Sequence, residues 1–339
     1  MSAQGAGAAL AEARDVRVCY GHRRSPLRAV DGVSFHIGAG ESVGLVGESG
    51  CGKSTLGRAL LRLENLSGGS ILFRGEDIAA LRGRSLKKFR SRAQMVFQDP
   101  LGSLNPRMTV GRALDEVLVV HRFGGRDSRG ARVDELLDLV GLDPSHRRRY
   151  PHEFSGGQRQ RIGLARALAL HPELLIADEP VSALDVSVQV QILNLMKDLQ
   201  ARLGLACLFI AHDLAAVRYV ASRVLVMYLG RIVETAGASE LYGAPAHPYT
   251  AALLSAVPDV EKGLEARRRG ACRGSLEGDV PSPARHISGC PFHPRCPRAE
   301  DRCRREAPAL RDIGPGRASA CHFAEDVLAT GLMSSSEPR

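Results

Sequence analysis

In the run Gly47-Glu48-Ser49-Gly50-Cys51-Gly52-Lys53-Ser54-Thr55 the residue types and their spacing make a cradle for nucleotide phosphates. Gly47 and Gly52 let the backbone curl until several N–H groups aim at one anion. Lys53 brings a point charge to the outer phosphates, and the Ser54 hydroxyl is a magnesium ligand. A helix opening at Lys53 adds the positive end of its dipole. Glycine turns before helices are common without ligands, but the full G-x-x-x-x-G-K-S spacing between a strand and a helix is specific. Asp178 and Glu179 close the apolar run Leu174-Leu175-Ile176-Ala177, which puts them at the carboxyl edge of a buried strand, where open α/β sheets bind ligands. Asp178 is read as the magnesium carboxylate and Glu179 as the group that polarises the attacking water. Acid pairs there also cap helices, but Pro180 follows at once and weakens that reading. His212 ends another apolar run; a lone histidine there is more often a satisfied core residue, and the two nearby acids favour a catalytic one.

A second cradle is written in Phe154-Ser155-Gly156-Gly157-Gln158, at the start of a further helix. One chain cannot bring both cradles to a single γ-phosphate. Two chains can, and the shared triphosphate then holds them together until hydrolysis releases them.

The elements that must position these residues are legible from hydrophobic patterning. Val33-Ser34-Phe35-His36-Ile37 alternates like an antiparallel strand, while Ser42-Val43-Gly44-Leu45-Val46 runs straight into the glycine loop. The runs 174–177, 207–211 and 224–227 are nearly all apolar and separated by amphipathic helical stretches such as 188–203, as in a parallel sheet buried on both faces. Residues 99–170 carry helical patterning with little strand signal, an inserted helical subdomain. After His247-Pro248-Tyr249 and a short helix, Pro, Gly and Arg rise and, beyond an incidental Cys272, four cysteines appear close together, which predicts a separate C-terminal appendage.

Composition bounds the function. The 339 residues, 44% hydrophobic, suffice for one large domain plus an appendage. No run of about eighteen apolar residues spans a bilayer, and residues 1–13 lack a secretory pattern, so a cytoplasmic location is expected. The net charge of +9 invites nucleic acid, yet the arginine triplets at 147–149 and 267–269 read as solvated faces and no Trp interleaves them. No nucleic-acid partner is expected.

Taken in order, Gly47 to Ser54, Gln98 within Met95-Val96-Phe97-Gln98-Asp99-Pro100, Phe154 to Gln158, Asp178-Glu179, Ser182-Ala183-Leu184-Asp185 and His212 resemble the motifs of ATP-binding cassette (ABC) ATPases. The signature starts with Phe154 where leucine is usual, leaving Ser155-Gly156-Gly157 intact. The resemblance implies an α/β P-loop NTPase fold, with a RecA-like core, an antiparallel β part and a helical subdomain. It places the ATPase domain at 14–257, with the helical subdomain at 99–170. It implies Tyr20 stacking on adenine, and ATP held by Gly47, Glu48, Ser49, Gly50, Cys51, Gly52, Lys53, Ser54, Thr55 and Gln98. Across the dimer, Ser155, Gly156, Gly157, Gln158 and Asp185 complete the pocket. Ser54, Gln98 and Asp178 serve magnesium, and Glu179, His212 and Gln98 serve catalysis. Gln98 links the nucleotide to the helical block against which a membrane partner presses.

Within that family the loop and its flanks, Ser103-Leu104-Asn105-Pro106-Arg107 and His247-Pro248-Tyr249-Thr250 are similar to oligopeptide/dipeptide importer ATPases. So are Gly278-Asp279-Val280-Pro281-Ser282-Pro283 and Gly289-Cys290-Pro291-Phe292-His293-Pro294-Arg295-Cys296-Pro297-Arg298-Ala299, in a C-terminal extension placed at 258–325. Residues 1–13 and 326–339 are expected as flexible tails. The resemblance implies a heterodimer with a sister ATPase, two permease subunits and an extracytoplasmic peptide-binding protein, with this chain peripheral at the cytoplasmic membrane face. Importers of nickel or glycosides, and ATPases acting on nucleic acid, are the competing readings; the latter need a long coiled-coil or zinc-bearing insertion, and 55–154 has no sustained heptads. A ribosome-acting relative would carry two cassettes.

Cys290, Cys296, Cys303 and Cys321 are four thiols in a segment where disulfides are not expected to persist. Zinc sites usually contain a close C-x2-4-C pair, and these spacings are wider. A four-thiolate iron–sulfur centre suits the wider spread, and the importer resemblance implies a 4Fe-4S cluster; zinc and reduced, unliganded thiols remain open. Cys51 inside the phosphate loop is a candidate for oxidation that blocks ATP.

Overall fold

A computed structural model describes residues 9–21, 26–99, 102, 104–256, 281 and 287–330. The strands are β1 (Ala9–Tyr20), β2 (Leu27–Gly38), β3 (Ser42–Val46), β4 (Gly68–Phe73), β5 (Glu76–Asp77), β6 (Ala93–Val96), β7 (Leu174–Asp178), β8 (Ala206–Ile210), β9 (Arg223–Tyr228), β10 (Arg231–Gly237), β11 (Arg311–Gly314) and β12 (Arg317–Ser319). They form two sheets, ordered β2-β1-β4-β5 and β11-β12-β10-β9-β3-β8-β7-β6. The smaller sheet is antiparallel. In the larger one β6, β7, β8, β3 and β9 run parallel, and β10, β12 and β11 add antiparallel strands at one edge.

The parallel strands are buried along nearly their whole length, which is why they read as continuous apolar runs. Their side chains alternate between two cores. Leu45, Ile176, Leu208 and Ile210 join Val18, Val30 and Ile71 of the antiparallel sheet and Leu56 of the helix Lys53–Leu60. Val46, Leu175, Phe209 and Val226 join Leu114, Leu136 and Ile162 of the helical block on the other side. Between β6 and β7 the described residues hold the helices Val110–Val120, Arg126–Leu139 and Gly156–Ala167 and two short 3-10 turns. Buried Arg132 caps the last of these helices by donating to Leu168 O at 3.0 Å and Ala169 O at 3.3 Å. Arg147, expected on a solvated face, keeps a side chain 41% exposed and donates from Nη1 to both carboxylate oxygens of Asp134 at 2.9 Å.

Two expectations need correction. The first strand begins at Ala9, inside the presumed tail 1–13, because Leu10, Ala11 and Ala13 bury against β2 and β4. The helix Ala324–Thr330 likewise enters the presumed tail 326–339. Nor is the C-terminal region set apart: β12 pairs with β10 through Glu234 and Ser319 and covers an otherwise open edge. Cys290, Phe292 and Cys303 belong to the same apolar core as the helical block. Of the run 278–283 only Pro281 lies among the described residues, and Ser103, Cys272 and 267–269 lie outside them.

Candidate active site

The phosphate loop joins β3, which lies between the parallel strands β8 and β9, to the helix Lys53–Leu60. Its glycines are required by space. A Cβ on Gly52, at φ 105°, would stand 2.0 Å from the Ala29 carbonyl oxygen, and one on Gly47 would stand 2.2 Å from that of Met227. Ser49 and Gly50 lie exposed at the crest. Lys53 is buried along its stem and donates from Nζ to the carbonyls of Gly47 at 2.8 Å and Glu48 at 2.9 Å, folding its charge over the cradle. Cys51 is buried and its thiol is pushed up by burial, so the expected oxidation site is a shielded, protonated sulfur.

Facing the loop, at the carboxyl end of β7, buried Asp178 accepts a hydrogen bond from Ser54 Oγ at 2.7 Å. Burial raises the Asp178 carboxyl above its ordinary value, and the Ser54 hydroxyl and Arg58 guanidinium oppose that rise. Glu179 follows at φ 46°, a left-handed backbone that non-glycine residues adopt only when held. Its N–H donates to Ile210 O at 2.9 Å, and its carbonyl accepts from Ser182 Oγ at 3.1 Å. The result turns the carboxylate outward between two partners. Gln98, beyond the end of β6, donates from Nε2 to Glu179 Oε2 at 3.0 Å. His212, beyond the end of β8, stands with Nδ1 3.4 Å from Glu179 Oε1. Tyr20 ends β1, 38% exposed, with its hydroxyl toward Thr55 and Glu64; burial raises its phenol.

The signature residues lie elsewhere in the chain. Ser155 caps the helix Gly156–Ala167 in a capping box, with Ser155 N donating to Gln158 Oε1 at 3.0 Å and Gln158 N to Ser155 Oγ at 3.4 Å. Phe154 is buried and packs edge-on to His146, so it serves the core where a leucine would. A Cβ on Gly157 would come within 2.4 Å of Val188 Cγ1, which fixes this helix against the helix Val186–Leu203. Asp185, exposed, stands at the start of that second helix without a capping bond. Among the described residues no hydrogen bond joins Ser155, Gly156, Gly157 or Gln158 to the phosphate loop, so one chain holds both cradles but does not bring them together.

Cys290, Cys296, Cys303 and Cys321 line one small internal space with His247 and Phe323. Burial pushes three of these thiols up, Cys296 to about 12, Cys321 to about 11, and Cys290 also upward. Among the described residues no group of three or more His, Cys, Asp or Glu is arranged to hold a metal ion.

Sequence reasoning missed a contact between this segment and the phosphate loop. Arg295 grips the Glu48 carboxylate with both guanidinium ends, Nη1 to Oε2 at 2.8 Å and Nη2 to Oε1 at 3.0 Å. Tyr249 accepts the Glu48 N–H at 2.9 Å. Tyr249 is in turn set by Glu234, a fully buried carboxylate that accepts from Ala246 N at 2.7 Å and His247 N at 2.9 Å just before the helix Pro248–Ser255. An arginine between Cys290 and Cys296 was the only sequence signal, and no spacing rule relates it to a loop so far away.

The sequence matches the ABC transporter family over residues 30–182, and the C-terminal region of oligopeptide/dipeptide transporters over residues 233–303. It is 52% identical over 302 residues to a putative peptide import ATP-binding protein of Brucella ovis, covering 89% of this chain and 94% of that one. It is 53% identical over 298 residues to the oligopeptide transport ATP-binding protein AppF of Bacillus subtilis, covering 88% and 90%. In three dimensions it resembles a dimeric ATP-binding cassette in a post-hydrolysis state with ADP and phosphate, at a TM-score of 0.62 and 27% identity over 67% of this chain and 98% of that one. It also resembles CbiO1 of Clostridium perfringens, at a TM-score of 0.62 and 28% identity over 69% and 91%. These matches agree with the loop, acids and histidine gathered at the sheet edge: the chain belongs to the ABC ATPases, in their oligopeptide/dipeptide importer branch.

Proposed function

We propose that this chain hydrolyses ATP to drive uptake of di- or oligopeptides, closing on a sister ATPase beneath two permease subunits that receive peptide from an extracytoplasmic binding protein. It sits peripherally at the cytoplasmic membrane face; no helix among the described residues is long and apolar enough to cross a bilayer. Residues 14–257, extended to Ala9, form the ATPase domain, with 99–170 as its helical subdomain and 258–325 as an extension built onto its sheet.

The observation that carries this reading is the grip of Gln98 and His212 on Glu179, next to the Ser54–Asp178 bond at the mouth of the loop. Loop N–H groups and the N-terminus of the helix Lys53–Leu60 take the phosphates, and Lys53 turns from its own loop carbonyls to the outer oxygens. Tyr20 packs on the adenine. Glu179, fixed between Gln98 and His212, orients and deprotonates the attacking water, and His212 stabilises charge on the γ-phosphate. Ser155, Gly156, Gly157, Gln158 and Asp185 of one subunit close over the loop of the other. Ser54, Asp178 and Gln98 supply oxygen donors suited to magnesium, which would neutralise phosphate charge. The four thiols of the extension, three of them buried, match the donor type and number of a 4Fe-4S centre, which would add a redox-active cross-link to the extension.

The test is reconstitution in vesicles with the sister ATPase, permeases and binding protein. Peptide-stimulated ATP hydrolysis and peptide uptake are expected; stimulation by nickel or glycosides and not by peptides overturns the substrate assignment.

A further inference from the structure

An acid in a phosphate cradle is electrostatically adverse, since Glu48 adds negative charge beside the triphosphate. The structure neutralises that charge and also uses it as a handle. Arg295 is only 6% exposed and holds Glu48 in a two-pronged, charge-assisted pair, a geometry that fixes orientation as well as distance. The Arg295 guanidinium also lies beside the buried Tyr228 hydroxyl, and neither that hydroxyl nor Arg295 Nε has a hydrogen-bond partner among the described residues. The rings of Tyr228, Tyr249 and Phe292 pack together with centroids 4.6 to 5.4 Å apart and form a rigid floor beneath this pair. Tyr249 meanwhile takes the Glu48 N–H, so the residue is held at backbone and carboxylate from two C-terminal elements at once. Glu48 O and its neighbour Gly47 O are the acceptors that seat Lys53.

We infer that Arg295 is a positioning residue of the ATP site: through Glu48 it keeps the phosphate loop in its anion-binding curl. The cysteine-bearing extension is thereby a working part of nucleotide binding. Arg295 ends the 3-10 turn His293–Arg295 between Cys290 and Cys296, so the packing of the cysteine pocket sets the reach of the guanidinium. The inference rests on ATP binding at this loop.

The experiment uses the full-length chain carrying Glu179→Gln, so that bound ATP persists, and measures ATP affinity by calorimetry for Arg295→Met, Glu48→Gln and the pair together. Each single substitution is expected to weaken ATP about tenfold, equal to ~1.4 kcal/mol. The double variant is expected to lose about the same tenfold and not a hundredfold, because both act through one contact. Amide hydrogen exchange at residues 50–53 of the ligand-free variants is expected to quicken while that of β7 stays unchanged. Tighter ATP binding in Glu48→Gln would mean that Arg295 only cancels charge, and overturns the inference, as would unchanged affinity or additive losses. Should Arg295→Met fail to fold, Glu48→Gln decides alone. Absence of ATP binding in the Glu179→Gln parent removes the ATP-site reading and this inference with it; parental binding that the variants do not alter removes this inference only.

Discussion

Gln98 Nε2 donates to Glu179 Oε2 at 3.0 Å across 81 positions of sequence, so the end of β6 determines where the carboxylate beyond β7 points. Gln98 lies between the end of β6 at Val96 and the helix Val110–Val120, so this bond ties the carboxylate proposed to handle the attacking water to the segment that precedes the helical block. In the function proposed above, transport coupling and chemistry meet at this one hydrogen bond. Glu179→Gln keeps a side chain that Gln98 and His212 can hold but cannot accept a proton. Its ATPase rate in the reconstituted transporter is expected to fall at least about a hundredfold, with an ATP-bound dimer accumulating on size exclusion. Undiminished hydrolysis overturns the role.

Ser54 and Asp178 make a different kind of contact, a hydroxyl donating to a buried carboxylate at 2.7 Å. Asp178→Asn keeps the size but removes the charge that attracts a divalent cation. The magnesium concentration for half-maximal ATP hydrolysis is expected to rise about tenfold, with ATP affinity in the absence of magnesium little changed. An unshifted magnesium midpoint assigns the cation to other ligands.

The four thiols of the extension give a visible readout. Anaerobically purified protein is expected to be brown and to contain about four iron atoms per chain, and Cys303→Ser to lose the colour. A colourless preparation with stoichiometric zinc assigns the site to zinc instead.

The parallel strands and the acids at their ends were readable because strands buried on both faces must be apolar throughout and must stop where the chain meets ligand and water. Strands β11 and β12 carried no such mark: Arg311–Gly314 is mostly exposed, and Arg317–Ser319 is a strand because β10 offers it an edge. The same limit hid Arg295. A pair spanning 247 positions depends on how the extension folds back over Tyr228 and Tyr249, and local patterning does not encode that return. Leu10, Ala11 and Ala13 were overlooked for another reason. Small alanines alternate too weakly to announce a strand, and their burial appears only once β2 and β4 flank them.

The turn that leads from β2 in the smaller sheet to β3 in the larger one is pinned by Glu41, which accepts from Gly38 N at 2.7 Å and from Arg223 Nε and Nη2 at 2.8 and 3.1 Å. Burial raises the Glu41 carboxyl, but the Arg223 guanidinium and the Gly38 N–H outweigh it, so its folded value lies below the ordinary 4.5. A depressed carboxylate contributes stability above its unfolded value and loses it as pH falls through the folded one, since the unfolded chain then binds the proton more readily. Glu41→Gln is expected to cost about 1–2 kcal/mol at pH 7, from the weakened pair with Arg223. In urea titrations the gap between the parent and Glu41→Gln is expected to be full at neutral pH and to narrow once pH drops below 4.5. A gap that stays constant under acid conditions would trace the loss to packing and not to the Glu41 charge.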